Sequence, residues 1–498
     1  MREAVDQSKT PYFQALLDYV DAGVIPFHTP GHKQGIGMDL AFREFVGDNL
    51  LAIDLTPMPG IDDLLQPTES LLEAQQLAAE AYGADRSYFL INGSTSGNQC
   101  MMMAAVNPGD KMAVPRNAHK SMLGGLVMSG AEPIYMQPVV DEALHMDHCV
   151  TPETVEQTLR EHPDVKAVYV VTPTYYGVAA DIKGIVKVAR AAGKLVLVDE
   201  AWGPHFHFHP DLPLSATAAK ADLVINSTHK MLSAFSQCAM LHQIGPRVRV
   251  DRLEGVLKMF LSTSPNLPMV ASLDVARKQM AMDGLELLSR TIELAQETRK
   301  KLNAIDGVYC FGDELKGRPG IFDLDPTKVT ITVKDLGYTG YEASAILRRR
   351  YNVQVELADL FNVVALFTIG TSQEAADRLV QGVAELARED RPVDIFSPSG
   401  ILERRLKTGS YKLPKIPPMR MLPREAFLAD TEAVRFKQSK GRICAETISP
   451  YPPGIPVISP GEEVTDEIID YLSLEIKAGV RMQGPFDREL KRIRVVKE

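Results

Sequence analysis

The chain has 498 residues, which is too long for one ordinary hydrophobic core, so two or three domains are expected. Its composition, 45% hydrophobic and 24% charged, is typical of a globular protein, and the net charge of −10 argues against nucleic acid as a main partner. The five cysteines are scattered without a CxxC pair, which argues against a zinc site or a disulfide framework. No segment reads as a signal peptide or as the roughly 20 apolar residues of a membrane span, so we expect a cytoplasmic protein without membrane contact.

Residues 1–70 are predicted to form an N-terminal arm with little core of its own. A short helix is expected over residues 12–21, where apolar side chains recur at helical spacing. The segment that follows is too rich in proline and glycine for regular structure, and it carries His28, His32 and Lys33. We interpret this segment either as a binding loop or as a turn with solvated side chains.

A loop rich in hydroxyl groups comes next. A helix over residues 69–82 and a strand over 87–91 precede it, and a helix is expected to begin after it, over 99–106. The loop contains Ser94, Thr95 and Ser96, whose hydroxyls add donors to the N–H groups at the start of a helix. It is neither a Walker A loop nor GxGxxG, so it predicts a phosphate other than that of ATP or a dinucleotide. The alternative is a loop that only caps the helix.

Polar residues follow several predicted strands. His119 comes just after a strand over 111–114, where ligand sites of α/β proteins gather, although a surface or capping histidine is the alternative. A strand over 165–172, a helix over 181–192 and a buried strand over 194–198 form a βαβ unit, which predicts a parallel sheet. The last of these strands ends at Asp199, and an acid at the end of an apolar strand is costly without a cationic partner.

A second buried strand, over residues 223–225, leads to Ser227 and Lys230. Apolar surroundings lower the pKa of a lysine and make its amine a usable nucleophile, whereas the alternative is an exposed loop lysine. Three alternating histidines between 205 and 209 raise the question of a metal site. We predict no metal there, because no carboxylate or cysteine is spaced to complete a site, and we interpret the alternation as one buried face.

The second half of the chain is predicted to form further domains. Residues 273–304 read as a long connecting helix with a break near Gly284. The remaining predicted elements are strands over 328–334, 353–356 and 363–367 and helices over 341–350 and 372–387. The predicted division is an arm (1–70), a large domain (71–300), a small α/β domain (301–390), a proline-rich linker (391–423) and a C-terminal domain (424–498).

Three features point to one cofactor. The hydroxyl loop at 94–98, Asp199 and Lys230 all follow strand ends and belong at the carboxyl edge of one sheet. Pyridoxal 5'-phosphate (PLP) needs this set: a phosphate site, an amine for the Schiff base and a carboxylate that keeps the pyridine nitrogen protonated. The sequence therefore predicts a PLP site.

The chain resembles the Orn/Lys/Arg decarboxylase family of PLP-dependent enzymes. The segments that carry the resemblance span nearly the whole chain in the expected order. They are FHTPGHK (27–33), FLINGSTSGN (89–98), DEAW (199–202), STHK (227–230) with Ser236 and Gln237, and Glu446 with PYPPGIP (450–456).

The resemblance implies roles for individual residues. Lys230 matches the Schiff-base lysine, Asp199 the acid paired with the pyridine nitrogen, and His119 the histidine stacked on the cofactor ring. The phosphate contacts are matched by Ser94, Thr95 and Ser227, with Ser96 as a further candidate, while His229 matches a histidine at the reacting centre and Trp202 a residue packed near the cofactor. Candidate substrate residues are His28, His32 and Glu446.

The resemblance also implies a fold and an activity. The fold is α/β: a fold type I, aspartate aminotransferase-like large domain with a mostly parallel sheet, a small α/β domain and an α+β C-terminal domain. The activity is decarboxylation of a basic amino acid, with L-arginine to agmatine in polyamine biosynthesis favoured and lysine to cadaverine or ornithine to putrescine as alternatives. An aminotransferase or another lyase of the same fold, or a non-catalytic PLP-binding regulator, are the other interpretations.

The short arm separates this chain from the larger family members, which carry an extra N-terminal wing domain that drives assembly of large rings. We therefore expect a homodimer or a small assembly of dimers. In the family the active site lies at the subunit interface, so the arm around His28 and His32 is expected to reach the neighbour's cofactor.

Overall fold

The computed structural model describes residues 6–389, 400, 414–451, 454–477 and 479–498. The helices are α1 (Pro11–Asp21), α2 (Leu40–Val46), α3 (Asp48–Ala52), α4 (Ser70–Ala81), α5 (Gly93–Ala105), α6 (Lys120–Ser129), α7 (Pro152–Glu161), α8 (Ile182–Ala191), α9 (Thr228–Met231), α10 (Val250–Phe260), α11 (Leu267–Asn303), α12 (Gly340–Tyr351), α13 (Gln373–Arg388), α14 (Pro423–Leu428) and α15 (Asp466–Lys477). Within the described ranges, none of these helices combines the length and apolarity needed to cross a bilayer.

The strands are mostly short and apolar. They are β1 (Arg86–Leu90), β2 (Lys111–Pro115), β3 (Glu132–Met136), β4 (Val140–Asp141), β5 (Met146–Asp147), β6 (Val165–Val171), β7 (Val178–Ala179), β8 (Leu195–Asp199), β9 (Leu223–Asn226), β10 (Ala239–Gln243), β11 (Asp323–Leu324), β12 (Lys328–Thr332), β13 (Leu357–Ala358), β14 (Asn362–Leu366), β15 (Thr431–Arg435), β16 (Ser449–Tyr451), β17 (Arg481–Gln483) and β18 (Arg492–Val496).

The described residues divide into two compact units. The first lies within Met1–Ala105 and Leu195–Ser289, and the second within Val106–Lys194 and Arg290–Glu498. The five-part division from the sequence stays a prediction, and most of its linker, residues 391–413, falls outside the described residues apart from residue 400.

The sheet strands of the first unit run in the order β1, β10, β9, β8. Strands β8 and β9 are parallel, with Asp199 opposite Ile225, and their central residues are fully buried. Helix α5 lies very close to β9, because a Cβ atom on Gly97 would sit 2.4 Å from Cδ1 of Ile225. Only glycine allows this approach, which brings the first turn of α5 to the carboxyl ends of β8 and β9.

The second unit contains three sets of paired strands. Strand β2 pairs in parallel with both β3 and β6. Strands β12, β14 and β13 form an antiparallel sheet, which shares an apolar cluster with α12 and α13. The C-terminal part pairs β15 with β18 and β16 with β17, and α15 packs in its core.

Most predicted elements are present, and four predictions are wrong. Helix α5 begins at Gly93 rather than at 99, because buried packing of its small residues outweighs their low helix propensity. Helix α11 continues through Gly284 without a break, since this buried glycine lets the helix approach Phe208. The predicted strand over 353–356 is absent, and pairing starts at Leu357. The histidine segment forms a 3₁₀ turn over Phe206–Phe208, and the neighbouring His205 and Phe206 are both buried, so the predicted single buried face is absent.

A buried ion pair fastens the arm to α11 in the first unit. Arg277 and Asp274 are fully buried, and Nη2 of Arg277 donates to Oδ1 of Asp274 at 2.6 Å. The same guanidinium donates to the carbonyl oxygens of Gln7 and Lys9, while Oδ2 of Asp274 accepts from the backbone N–H of Tyr12. The pair therefore holds the start of α1.

Replacement of Arg277 by alanine should destabilise the protein strongly. Asp274 would keep its charge without its cation, which costs about 3–5 kcal/mol for a buried pair. Urea denaturation of Arg277→Ala should show this loss, while Arg290→Ala, an exposed position on the same helix, should stay within about 0.5 kcal/mol of the wild type. Equal midpoints for the two variants would contradict a stabilising role for the pair.

Glu200 links the ends of β8 and β9 in the same unit. Its carboxylate is only 2% exposed, Oε1 accepts from the N–H of Ala216 at 2.6 Å, and Oε2 accepts from Nδ2 of Asn226 at 3.0 Å. Burial raises the pKa of Glu200 to about 8 from 4.5. The neutral acid is therefore the form that the fold prefers.

Stability should fall with rising pH because of Glu200. The folded state binds the proton more tightly than the unfolded state, so this group destabilises the fold progressively from about pH 4.5 and levels off above about pH 8, with a slope of at most about 1.4 kcal/mol per pH unit. Urea midpoints at pH 5.5 and 7.5 should show a smaller drop for Glu200→Gln than for the wild type. The exposed variant Glu286→Gln should keep the wild-type drop, and an unchanged drop in Glu200→Gln would exclude this group as its source.

Candidate active site

Asp199 lies at the carboxyl end of β8, where hydrogen bonds fix its carboxylate. It is 4% exposed, Oδ2 accepts from Nδ2 of Asn98 at 2.8 Å, and Oδ1 accepts from the N–H of Ala201 at 3.1 Å. Asn98 reaches it because Gly97 lets α5 lie against β9. The carboxylate therefore has a set position at the edge of the sheet.

Lys230 lies on the short helix α9, directly after β9. Its Nζ atom is 3.9 Å from the centroid of the Trp202 ring, which follows β8 in the same unit. An ammonium over an indole face is a favourable cation–π contact. The half-buried amine is therefore held beside the segment that begins with Asp199.

Hydroxyl groups meet at the start of α5. Oγ of Ser227 donates to Oγ of Ser94 at 2.7 Å, and Oγ1 of the fully buried Thr228 has no hydrogen-bond partner among the described residues. Thr95 is exposed, whereas Oγ of Ser96 donates to the carbonyl of Gly93. The N–H of Gly93 donates to the carbonyl of Gln237 at 2.8 Å, but together with the N–H groups that follow it in the first helical turn, these hydroxyls can bind an anion.

His229 precedes Lys230 and is half-buried. Its Nδ1–H donates to the carbonyl oxygen of Cys238 at 2.8 Å, since a carbonyl can only accept. Burial lowers the pKa of His229. The ring is therefore held neutral, with Nε2 as the remaining acceptor.

His119 and Glu446 belong to the second unit. His119 caps α6, with Nδ1 accepting from the N–H of Ser121 at 3.2 Å. Both carboxylate oxygens of Glu446 accept backbone N–H groups, from Phe486 at 2.9 Å and Arg494 at 2.8 Å. The cofactor role of His119 and the substrate role of Glu446 stay predictions.

The arm histidines have partners within the arm. Nε2 of His28 contacts the hydroxyl of Tyr19 at 2.6 Å, and Nε2 of His32 contacts Oδ2 of Asp54 at 3.1 Å. Both rings are half-buried. Their part in substrate binding stays a prediction.

The described residues contain no group of three or more His, Cys, Asp or Glu side chains that could hold a metal ion. In the histidine segment, Nδ1 of His207 contacts Ser215 and Nε2 of His209 contacts Ser289. These rings are engaged by hydroxyl groups.

The sequence assigns no role to two residues that hold the ends of β8 and β9, Asn98 and Glu200. Asn98 was part of the hydroxyl-loop motif but had no assigned role, and Glu200 was passed over although it directly follows a buried strand. An ionisable residue placed straight after a fully apolar strand was the signal that could have identified Glu200. No pattern along the chain pairs Asn98 with Asp199, because 101 positions separate them.

The residues of the first unit fit PLP. The cofactor needs an amine for its aldehyde, an anion site for its phosphate and an acid for its ring nitrogen. The unit offers Lys230, the hydroxyls of Ser94 and Ser227 at the start of a helix, and the buried Asp199. The unpartnered hydroxyl of Thr228 leaves hydrogen-bonding capacity beside this set.

Comparisons with known proteins agree with this chemistry. The model of the Orn/Lys/Arg decarboxylase major domain matches residues 10–375, and that of the C-terminal domain matches residues 406–496. An arginine decarboxylase of Bacillus subtilis (strain 168) is 44% identical over 494 residues, 99% of each chain. One of Halalkalibacterium halodurans is 43% identical over 492 residues, 99% of this chain and 98% of that protein.

A solved structure gives the same answer for the fold. The crystal structure of the Francisella novicida lysine decarboxylase LdcF matches with a TM-score of 0.84 at 25% identity, covering 98% of this chain and 81% of that one. The predicted α/β, fold type I class is confirmed. The chain belongs to the Orn/Lys/Arg decarboxylase family.

Proposed function

We propose that this protein decarboxylates L-arginine to agmatine and carbon dioxide, with PLP held by Lys230, as a step of polyamine biosynthesis. The observation that carries the proposal is the arrangement of Lys230 against Trp202 in the same unit as the buried, hydrogen-bonded Asp199. Arginine is favoured over lysine because the relatives named arginine decarboxylase are 43–44% identical over 98–99% of their length, against 25% for LdcF.

The residues have separate tasks. PLP, when bound, supplies the sink for the electron pair that remains when the carboxylate leaves as carbon dioxide. Asp199 offers a fixed anion that stabilises a positive ring nitrogen, and Asn98 keeps that carboxylate in place. Ser94 and Ser227 donate to the phosphate.

A proton must then reach the substrate carbon, and Lys230 is the better donor. His229 commits its Nδ1–H to Cys238, and burial opposes the second proton that Nε2 would have to carry. Nζ of Lys230 can carry the transferable proton. His229 then serves to shape the site beside the amine.

Three further properties belong to this proposal. The substrate is a small basic amino acid, and neither nucleic acid nor a membrane is a partner. We place the protein in the cytoplasm, since its five cysteines are free thiols.

Two alternative functions can be distinguished from this one. An aminotransferase of the same fold would need a 2-oxo acid as acceptor, and a non-catalytic regulator would form no product from any basic amino acid.

A panel of three substrates tests the activity. The PLP-loaded enzyme is incubated with arginine, lysine or ornithine, and agmatine, cadaverine and putrescine are quantified by chromatography. We expect kcat/KM for arginine to exceed the other two by at least about tenfold, since side chains of different length and head group fill one pocket differently. Lys230→Ala should abolish product, whereas Lys258→Ala, an exposed lysine, should not. Cadaverine or putrescine as main product, or dependence on a 2-oxo acid, would overturn the proposal.

We further propose a homodimer in which the arm completes the partner's site. Large apolar side chains of the arm are exposed in the single chain, and exposed apolar patches of this kind mark protein interfaces. They are Phe27 (95% exposed), Phe45 (89%) and Ile25 (78%). His28 and His32 lie in the same segment, so a second copy that covers these side chains would also meet the histidines.

Mixed dimers test this arrangement. Lys230→Ala and His32→Ala are each expected to be nearly inactive, but subunits unfolded and refolded together should regain about a quarter of wild-type activity, because half of the dimers are mixed and each has one intact site. A mixture of Lys230→Ala with Asp199→Ala should regain none, since both residues belong to the same unit of one chain. No recovery in the first mixture, or full activity of His32→Ala alone, would exclude a contribution across the interface.

A further inference from the structure

A cavity of about 140 Å³ lies within the second unit, and none of the residues assigned to the cofactor lines it. Its walls come from strand β5, from the turn between β13 and β14, and from α15 together with residues 455–457. Three carboxylates line it: Asp147, Asp359 and Glu475. We propose that this cavity binds a small organic cation, with a guanidinium or ammonium head that bonds to Asp147.

Asp147 has a carboxylate oxygen that no donor from the described residues satisfies. Its Oδ1 atom is buried and has no hydrogen-bond partner among the described residues. Burial raises the pKa of Asp147 to about 6, so the group is largely ionised at neutral pH. A buried carboxylate without a donor is costly, and a ligand with cationic N–H groups removes that cost.

The other two acids line the same space. Asp359 accepts from the hydroxyl of Tyr176 and from the N–H of Phe361, both at 2.7 Å. These donors orient the carboxylate, while burial raises the pKa of Asp359. Glu475, on α15, is 2% exposed.

Neither cation that lines the cavity is recorded as a partner of Asp147. Arg116 lines the wall, but its guanidinium donates to both carboxylate oxygens of Glu462 and to the carbonyl of Val457. Lys415 is exposed at the rim, where water screens its charge. The potential inside the cavity therefore favours a cation.

Aromatic surface suits the same kind of ligand. The ring of His145 stacks on Phe361, with centroids 4.1 Å apart and planes 23° apart. Burial lowers the pKa of His145 to about 4, so this ring is neutral and does not repel a cation. Ring faces next to carboxylates are typical of sites that bind guanidinium and ammonium groups.

The arrangement of the acids favours an organic cation over a bare metal ion as the occupant. In the part of the chain that the structure describes, these carboxylates do not come together as a metal-binding group. Acids on separate walls, with aromatic rings between them, match an extended cation with several N–H donors. This inference does not depend on which amino acid the enzyme decarboxylates.

Calorimetry with 1-butylguanidine tests the proposal on the PLP-loaded enzyme. This probe has the cationic head but no primary amine, so it cannot condense with the cofactor, and neutral butylurea is its matched control. We expect butylguanidine to bind the wild type and butylurea not to bind. Asp147→Asn should weaken binding by at least about tenfold, because a charge-assisted hydrogen bond is lost.

Two more variants complete the test. Asp470→Asn makes the same charge change at an exposed position on α15 and should bind as the wild type does. Ile455→Phe fills the cavity without altering charge and should abolish binding even if Asp147→Asn were to fold poorly. For the two cavity variants, Asp147→Asn and Ile455→Phe, kcat and KM for decarboxylation should stay within about twofold of the wild type.

The proposal is overturned by either of two results. These are equal affinity for butylguanidine in the wild type and Asp147→Asn, and binding of butylurea as tight as that of butylguanidine. Failure of arginine decarboxylation with Asp147-dependent butylguanidine binding retained would overturn the proposed substrate alone.

Discussion

The carboxylate of Asp199 ends an apolar strand, and the surrounding structure compensates that buried charge. Parallel pairing of β8 with β9 sets Asp199 opposite Ile225, so Ser227 and Lys230 follow at the same edge of the sheet. The close approach of α5 at Gly97 brings Asn98 within hydrogen-bond distance. A strand pair, a glycine and an amide thus converge on one acid, and the fit to PLP follows from the position in which they hold it.

Buried acids are accommodated in three different ways in this chain. Asp274 has a cation, Arg277, and the pair fastens the arm. Glu200 has only neutral donors, and burial shifts it toward the protonated form. Asp147 has an oxygen with no partner among the described residues, which distinguishes a ligand site from a structural acid.

The arm and Glu446 differ in how far the contacts within a single chain explain them. The arm is anchored through α1, but its large apolar side chains are exposed, which is a costly arrangement unless another surface covers them. Glu446, by contrast, accepts one backbone N–H group on each carboxylate oxygen, and these bonds hold it within the C-terminal fold. The dimer proposal therefore rests on the arm.

Sequence alone was sufficient for most of the predicted strands and helices and for the α/β class, while the roles of the PLP-site residues stay predictions. Hydrophobic periods, glycine stops and strand-end polar residues are local signals, and Asp199, Ser227 and Lys230 all stand at such ends. Tertiary structure decided the rest: the start of α5 at Gly93, the unbroken α11 at Gly284, the hydrogen bond from Asn98 to Asp199, and the cavity that joins Asp147, Asp359 and Glu475. Each of these depends on contacts between residues far apart in the chain, where packing overrides local propensity and leaves no pattern along the sequence to read.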